Sequence, residues 1–197
     1  MNLIIKAIII GFSIAAPVGP MAILCINRTL NTGFLIGIIT GLGIATADAV
    51  YGCIVGFGLT AVSNYLITHK TIIHIIGGLI LCYLGIKILF SKPQSKVAEP
   101  KISGNYLSAF FSTLMNPMTI IAYIAVLSGI GIGITNPDVL HAIAVVLGIF
   151  VGSSIWWLIL STAVTVARRK TNPTVTRGIN ILSGLIILGF GVWIIIQ

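Results

Sequence analysis

The sequence predicts an all-α, polytopic membrane protein of six transmembrane helices, arranged as two inverted three-helix repeats. Three observations carry that expectation. Of 197 residues, 57% are hydrophobic and only 7% are charged, with a mean hydropathy of +1.15, whereas a soluble domain covers its surface with about 25% charged residues. Apolar runs recur at 3–26, 33–62, 71–90, 106–134, 139–167 and 178–196, each near or above the ~20 residues that span ~30 Å of hydrocarbon. The chain also repeats itself. Gly78-Leu-Ile-Leu-Cys-Tyr-Leu-Gly85-Ile86 resembles Gly184-Leu-Ile-Ile-Leu-Gly-Phe-Gly191-Val192 at an offset of 106, and Gly19-Pro20-Met21-Ala22-Ile23 parallels Asn116-Pro117-Met118-Thr119-Ile120 at an offset of 97. Three spans are an odd number, so a second copy enters the membrane from the opposite side. Residues 1–90 form the first repeat and 106–197 the second, with the polar stretch 91–105 read as a cytoplasmic linker.

The first run is too long for a signal-peptide core, and Met21-Ala22-Ile23 offers no small-residue cleavage site, so it reads as a retained span. The net charge of +8 is distributed by face. Arg28, Lys87, Lys92, Lys96, Lys101, Arg168, Arg169, Lys170 and Arg177 fall on one side, and only Lys6 and Lys70 on the other. The excess of Lys and Arg marks the cytoplasmic face, which places both termini outside the cytoplasm. Such a face attracts anionic lipid, and that accounts for the charge without any nucleic-acid partner. Pairing of two copies as a homodimer is left open by the sequence.

Cys25, Cys53 and Cys82 fall in three different runs without CxxC spacing, and His69, His74 and His141 lie near predicted helix ends with no pair four residues apart. Neither a disulfide framework nor a metal site is indicated, and no cofactor signature is present.

The chemistry concentrates elsewhere. Pro17-Val18-Gly19-Pro20 interrupts the first span and Asn116-Pro117 the fourth. A proline inside a helix removes its own N–H and frees the carbonyl four residues earlier, so Pro17, Pro20 and Pro117 should free the carbonyls of Ser13, Ala16 and Thr113. In hydrocarbon such groups persist only where protein, water or ligand pairs them. A split helix also offers a partly negative carbonyl end and a partly positive N–H end, which together suit the ammonium and carboxylate of a zwitterion. Asp48 is the sole acid within any predicted span. A central Asp costs ~2.5–3.5 kcal/mol to insert, so it should face the bundle interior and serve a function: binding a substrate ammonium, carrying a coupling proton, or holding a structural hydrogen bond to Thr46, Tyr51 or backbone. Ser153 and Ser154 occupy the matching region of the second half, without charge. Gly33, Gly37 and Gly41 make a small-residue stripe that reads as a close helix contact. Trp156 and Trp157 read as packing or lipid-facing residues.

Taken together, Pro17-Val-Gly-Pro20, Cys25-Ile-Asn-Arg28-Thr-Leu, the ladder Gly33/Gly37/Gly41/Gly43 ending in Ala-Thr-Ala-Asp48-Ala-Val-Tyr, and Leu114-Met-Asn116-Pro117-Met-Thr resemble the LysE/RhtB family of amino-acid exporters along essentially the whole chain. Met21-Ala22 stands where the lysine and arginine exporters with this proline pattern tend to read Gln-Asn. The resemblance implies a secondary exporter of amino acids or their derivatives, working by alternating access on the proton gradient. Its substrate elements would be Pro17, Gly19, Pro20, Asp48, Asn116 and Pro117. An exporter of a metal or other inorganic cation is the alternative, opposed by the single central acid and the lack of soft ligands. A non-transporting scaffold would have no need of Asp48, and an enzyme would need a second catalytic group at the same depth.

Overall fold

The structure, a computed structural model, describes residues 3–17, 19–56, 69–90, 102–116, 119–120, 122–123, 139–168 and 173–196. Among them there is no strand; the seven helices are α1 (Leu3–Ala15), α2 (Pro20–Thr32), α3 (Phe34–Gly56), α4 (Lys70–Leu89), α5 (Ile102–Leu114), α6 (Val139–Arg168) and α7 (Pro173–Ile196). Three of these are long and apolar enough to cross a membrane, or four spans if the bent pair α1 and α2 counts as one. Residues 119, 120, 122 and 123 are also helical and resume the chain beyond α5.

The first apolar run is not one helix. α1 and α2 meet at 78°, and α2 continues past residue 26 to Thr32, which takes Arg28 out of the loop expected there and into a helix. The turn to α3 is a single residue, Gly33, at φ 110°, whose N–H bonds Thr29 O at 3.0 Å. That left-handed conformation favours glycine, so Gly33 belongs to the turn and not, as the stripe implied, to a helix contact. At the other end of the first repeat, α5 begins at Ile102, inside the stretch read as linker, while residues 91–101 lie outside the described set.

Contact registers show how the helices run. Ile4 and Ala7 abut Gly148, Ile8 abuts Gly152, and Phe12 meets Trp156 edge-on, so α1 and α6 run parallel. Gly43 packs on Tyr106 and Phe110, and Tyr51 bonds Leu114 O, so α3 and α5 also run parallel. Gly37 meets Ser161, Gly41 meets Trp157 and Gly52 meets Ile149, an antiparallel register for α3 and α6. Between α4 and α7 the register is antiparallel too. A Cβ at Gly85 would stand 2.9 Å from Gly184 O, one at Gly184 2.9 Å from Gly85 O, and one at Gly191 2.8 Å from Gly78 O. Side-chain carbon never comes that close to a carbonyl, so these positions let two backbones touch, which is how helices gain contact in lipid.

Candidate functional site

α2 lies at the centre of the bundle, against α3, α5, α6 and α7. Nine of its residues from Pro20 to Leu30 are buried, because every face meets protein. Its start explains the prolines. Gly19 is extended (φ −117°, ψ −168°) and its C=O accepts the first helical bond from Ile23 N–H at 3.1 Å, with Pro20 as the first helical residue. A proline there loses nothing, since the first N–H groups of a helix have no internal acceptor. Pro20 therefore opens a new helix and breaks no existing bond, contrary to the expectation that it frees Ala16 O from a continuous one. The second break repeats the pattern: Asn116 C=O accepts from Ile120 N–H at 3.2 Å and from Thr119 N–H at 3.1 Å. At an offset of 97, Asn116 corresponds to Gly19 and Ile120 to Ile23. Thr113 O, expected to be free, accepts Asn116 N–H at 3.1 Å, and the adjacent Leu114 O accepts from Tyr51 Oη. Pro117 lies outside the described residues.

Between these two helix starts is a cavity of about 270 Å³. Pro17, Gly19, Pro20, Asp48 and Asn116 all line it, so five of the six residues picked from sequence meet at one place. The remaining wall is mostly apolar, with Ile14, Met21, Ile44, Trp157 and Phe190, and adds the polar Thr113 and Thr119. The Thr113 hydroxyl is taken up by Ala109 O at 2.9 Å, and Asn116 Nδ2 donates to Thr119 Oγ1 at 3.0 Å.

Asp48 is 3% exposed. Its Oδ2 accepts from Ser153 Oγ at 2.6 Å, and Ser153 Oγ in turn accepts from Trp157 Nε1 at 3.0 Å. The expected structural partners are engaged elsewhere: Thr46 bonds Leu42 O and Tyr106, and Tyr51 bonds Leu114 O. The Asp48 carboxyl also lines the cavity. Tyr123, stacked on Tyr51 at 5.2 Å between ring centroids, turns its hydroxyl toward the same carboxyl. An acid this deep in a lipid-embedded helix is costly and marks a functional position, and the cavity beside it has room for a cationic partner.

The opposite end of α2 is closed by polar contacts. Asn27 and Asn31 each donate to Asn180 Oδ1 of α7 at 2.8 Å, and Asn180 returns a bond to Asn31 at 3.2 Å. Arg28 donates to Asn105 O and Ser108 of α5 at 2.8 Å each and to Thr40 of α3 at 3.3 Å. Cys25 sits beside Gly37 O and Ser161 as a packed thiol. Among the described residues no group of three His, Cys, Asp or Glu side chains is placed to hold a metal.

Residues 12–197 match the model of the LysE type translocator. The chain belongs to that family. It is 28% identical over 199 residues to the "Putative amino acid efflux protein YcgF" of Bacillus subtilis (strain 168), across 97% of this chain and 94% of that protein. It is also 28% identical over 144 residues to the "Uncharacterized membrane protein YahN" of Escherichia coli (strain K12), across 70% of this chain and 64% of that one. No solved structure matches it. This translocator is an integral membrane transporter and not an enzyme.

Sequence reasoning missed three groups of this translocator's site. The sequence marks Ser153 only as an uncharged counterpart, reads Trp157 as a packing or lipid-facing residue, and does not single out Tyr123. A signal for the first two was present: Ser153 and Trp157 are four apart, on one face of a helix. Tyr123 follows the second break by too few residues for spacing alone to aim it.

Proposed function

We propose that this translocator is a secondary exporter of amino acids or amino-acid derivatives, coupled to protons and working by alternating access in the bacterial cytoplasmic membrane. The observation that carries this reading is a buried acid, Asp48, on the wall of a small cavity flanked by two helix starts. The substrate ammonium pairs with Asp48, and its carboxylate takes the N–H groups of Met21 and Ala22, for which α2 supplies no acceptor. Asn116 lends its amide to either substrate group. A proton replaces the ammonium on Asp48 when substrate leaves, so the carboxyl is never bare in low dielectric. Ser153 and Trp157 hold the carboxyl in place.

The paired registers support an inverted repeat. Exchanging the first three spans with the last three turns the α1 and α6 contact into that of α5 and α3, and turns Gly78 on Gly191 into Gly184 on Gly85. Alternating access then consists of rocking one set of helices against the other about the breaks. The Lys and Arg bias supports termini outside the cytoplasm, with basic loops on anionic headgroups.

Counterflow of labelled amino acids into proteoliposomes, with a pH-sensitive dye inside, tests the scheme. Wild type should move substrate and protons in opposite directions, and Asp48→Asn should lose both. An Asp48→Asn protein that moved every substrate with unchanged proton flux would remove Asp48 from the mechanism.

A further inference from the structure

Resting on that exporter reading, we infer that Phe190 is a specificity-determining residue of the cavity and sets the largest substrate side chain it accepts. Among the described residues, Phe190 is the only one of α7 on the cavity wall. Of the other large apolar side chains there, Met21, Ile44 and Trp157 are buried in one core of the bundle, and Ile14 packs against a second. Phe190 is half-buried and belongs to neither core, so it can change size without unpacking them. The repeat within the chain points the same way. At the offset of 106, Phe190 corresponds to Leu84, which is buried on α4 without lining the cavity. A leucine meets the packing needs of this position, and the ring at 190 serves the cavity.

The helices decide which part of a substrate meets that ring. α3, which carries Asp48, packs on α2, α5 and α6, whereas α7 packs on α2 and α4. Asp48 and Phe190 therefore reach the cavity from different neighbours of α2. With the ammonium at Asp48 and the carboxylate at the Met21 and Ala22 N–H groups, the substituent is left to the wall that Phe190 closes. The cavity measures about 270 Å³, and a protein void of about 150 Å³ holds one benzene molecule. The ammonium, carboxylate and Cα together are close to benzene in size, which leaves on the order of 120 Å³ for the side chain. A leucine-sized group fits in that space and an indole does not. Shortening the ring at 190 adds room where the substituent lies, and enlarging it removes room there.

The test is counterflow into proteoliposomes with labelled alanine, leucine, lysine, phenylalanine and tryptophan, measured separately for wild type, Phe190→Leu and Phe190→Trp. In wild type, kcat/KM for tryptophan should lie at least about tenfold below that of the best of the five, since one surplus methylene in an apolar pocket already costs about 10–200-fold. Phe190→Leu should narrow that gap at least about tenfold, through a lower KM for tryptophan and phenylalanine, with the thermal midpoint near wild type. Phe190→Trp should move the preference the other way, toward alanine, and carries the test by itself if the leucine variant does not fold. The same ranking of the five in all the folded proteins, including one in which every rate falls together, overturns the inference while leaving an amino-acid exporter in place. Wild-type transport of tryptophan as fast as the best substrate overturns it too. If none of the five moves in sealed vesicles holding monodisperse wild-type protein, the exporter reading itself fails and this inference with it.

Discussion

At the C-terminal end of α2, Asn27, Arg28 and Asn31 are tied by side-chain hydrogen bonds to α3, α5 and α7, whereas at its N-terminal end Gly19, Pro20 and Met21 border a cavity that the Asp48 carboxyl also lines. Both ends carry polar groups at the centre of an apolar bundle, and both would be costly without partners. One end is saturated by the chain itself and holds helices together. The other opens on a cavity, which a transported solute can enter. Polarity at depth is therefore not in itself the mark of a site here. Polarity on a cavity wall is.

Four substitutions break or sharpen that contrast. The largest effect is expected from Asp48→Asn, which removes the charge without removing the bond from Ser153. Loss of one partner of a buried charge pair costs about 2–5 kcal/mol, so substrate affinity should fall roughly 30-fold or more, read by binding in detergent, while the thermal midpoint stays near wild type. Next is Gly85→Leu, where a side chain would have to displace the α7 backbone at Gly184. Overpacking of this kind costs about 1–3 kcal/mol, and a lowered thermal midpoint should accompany reduced membrane yield; an unchanged midpoint would show that α4 and α7 do not touch as described.

Asn180→Ala probes the saturated end. It strips both Asn27 and Asn31 of a shared acceptor, at a cost of about 1–2 kcal/mol. Stability should drop while counterflow per folded molecule is retained, and a selective loss of transport with normal stability would place this end in the transport cycle instead. The smallest effect belongs to Ser153→Ala, worth about 0.5–1.5 kcal/mol as a single hydrogen bond. Because it frees Asp48 Oδ2, the expected readout is a displaced pH profile of transport with little change in stability. A profile superimposable on wild type would detach Ser153 from the carboxyl's function.

The apolar helices were legible because hydrocarbon imposes a length and a composition on any helix that crosses it, and α4 and α7 stand almost where the apolar runs predicted. Arg28 was misread for an understandable reason: a charged residue next to Asn and Thr after an apolar run has the composition of a loop, and only the bend between α1 and α2 gives it helical partners within the bundle. Gly33 was misassigned because glycine at a four-residue spacing fits both a helix contact and a turn, and the backbone conformation alone distinguishes them.

For the candidate site, Pro17, Gly19, Pro20 and Asp48 stood out because each breaks a rule of lipid-embedded helices, by having no N–H, no side chain, or a charge, and Asn116 because it is a polar amide directly before a proline. Violations of local preference are visible without coordinates. Ser153, Trp157 and Tyr123 break no such rule, and their part depends on which neighbour each faces. By itself, the sequence determined the medium, the positions of the helix breaks and the lone acid, since these follow from local chemistry and from the cost of polar groups in hydrocarbon. Only the tertiary structure decided that the acid and both helix starts share one cavity, and that Arg28 and the asparagines are already satisfied, because pairing is a property of groups brought together from distant parts of the chain.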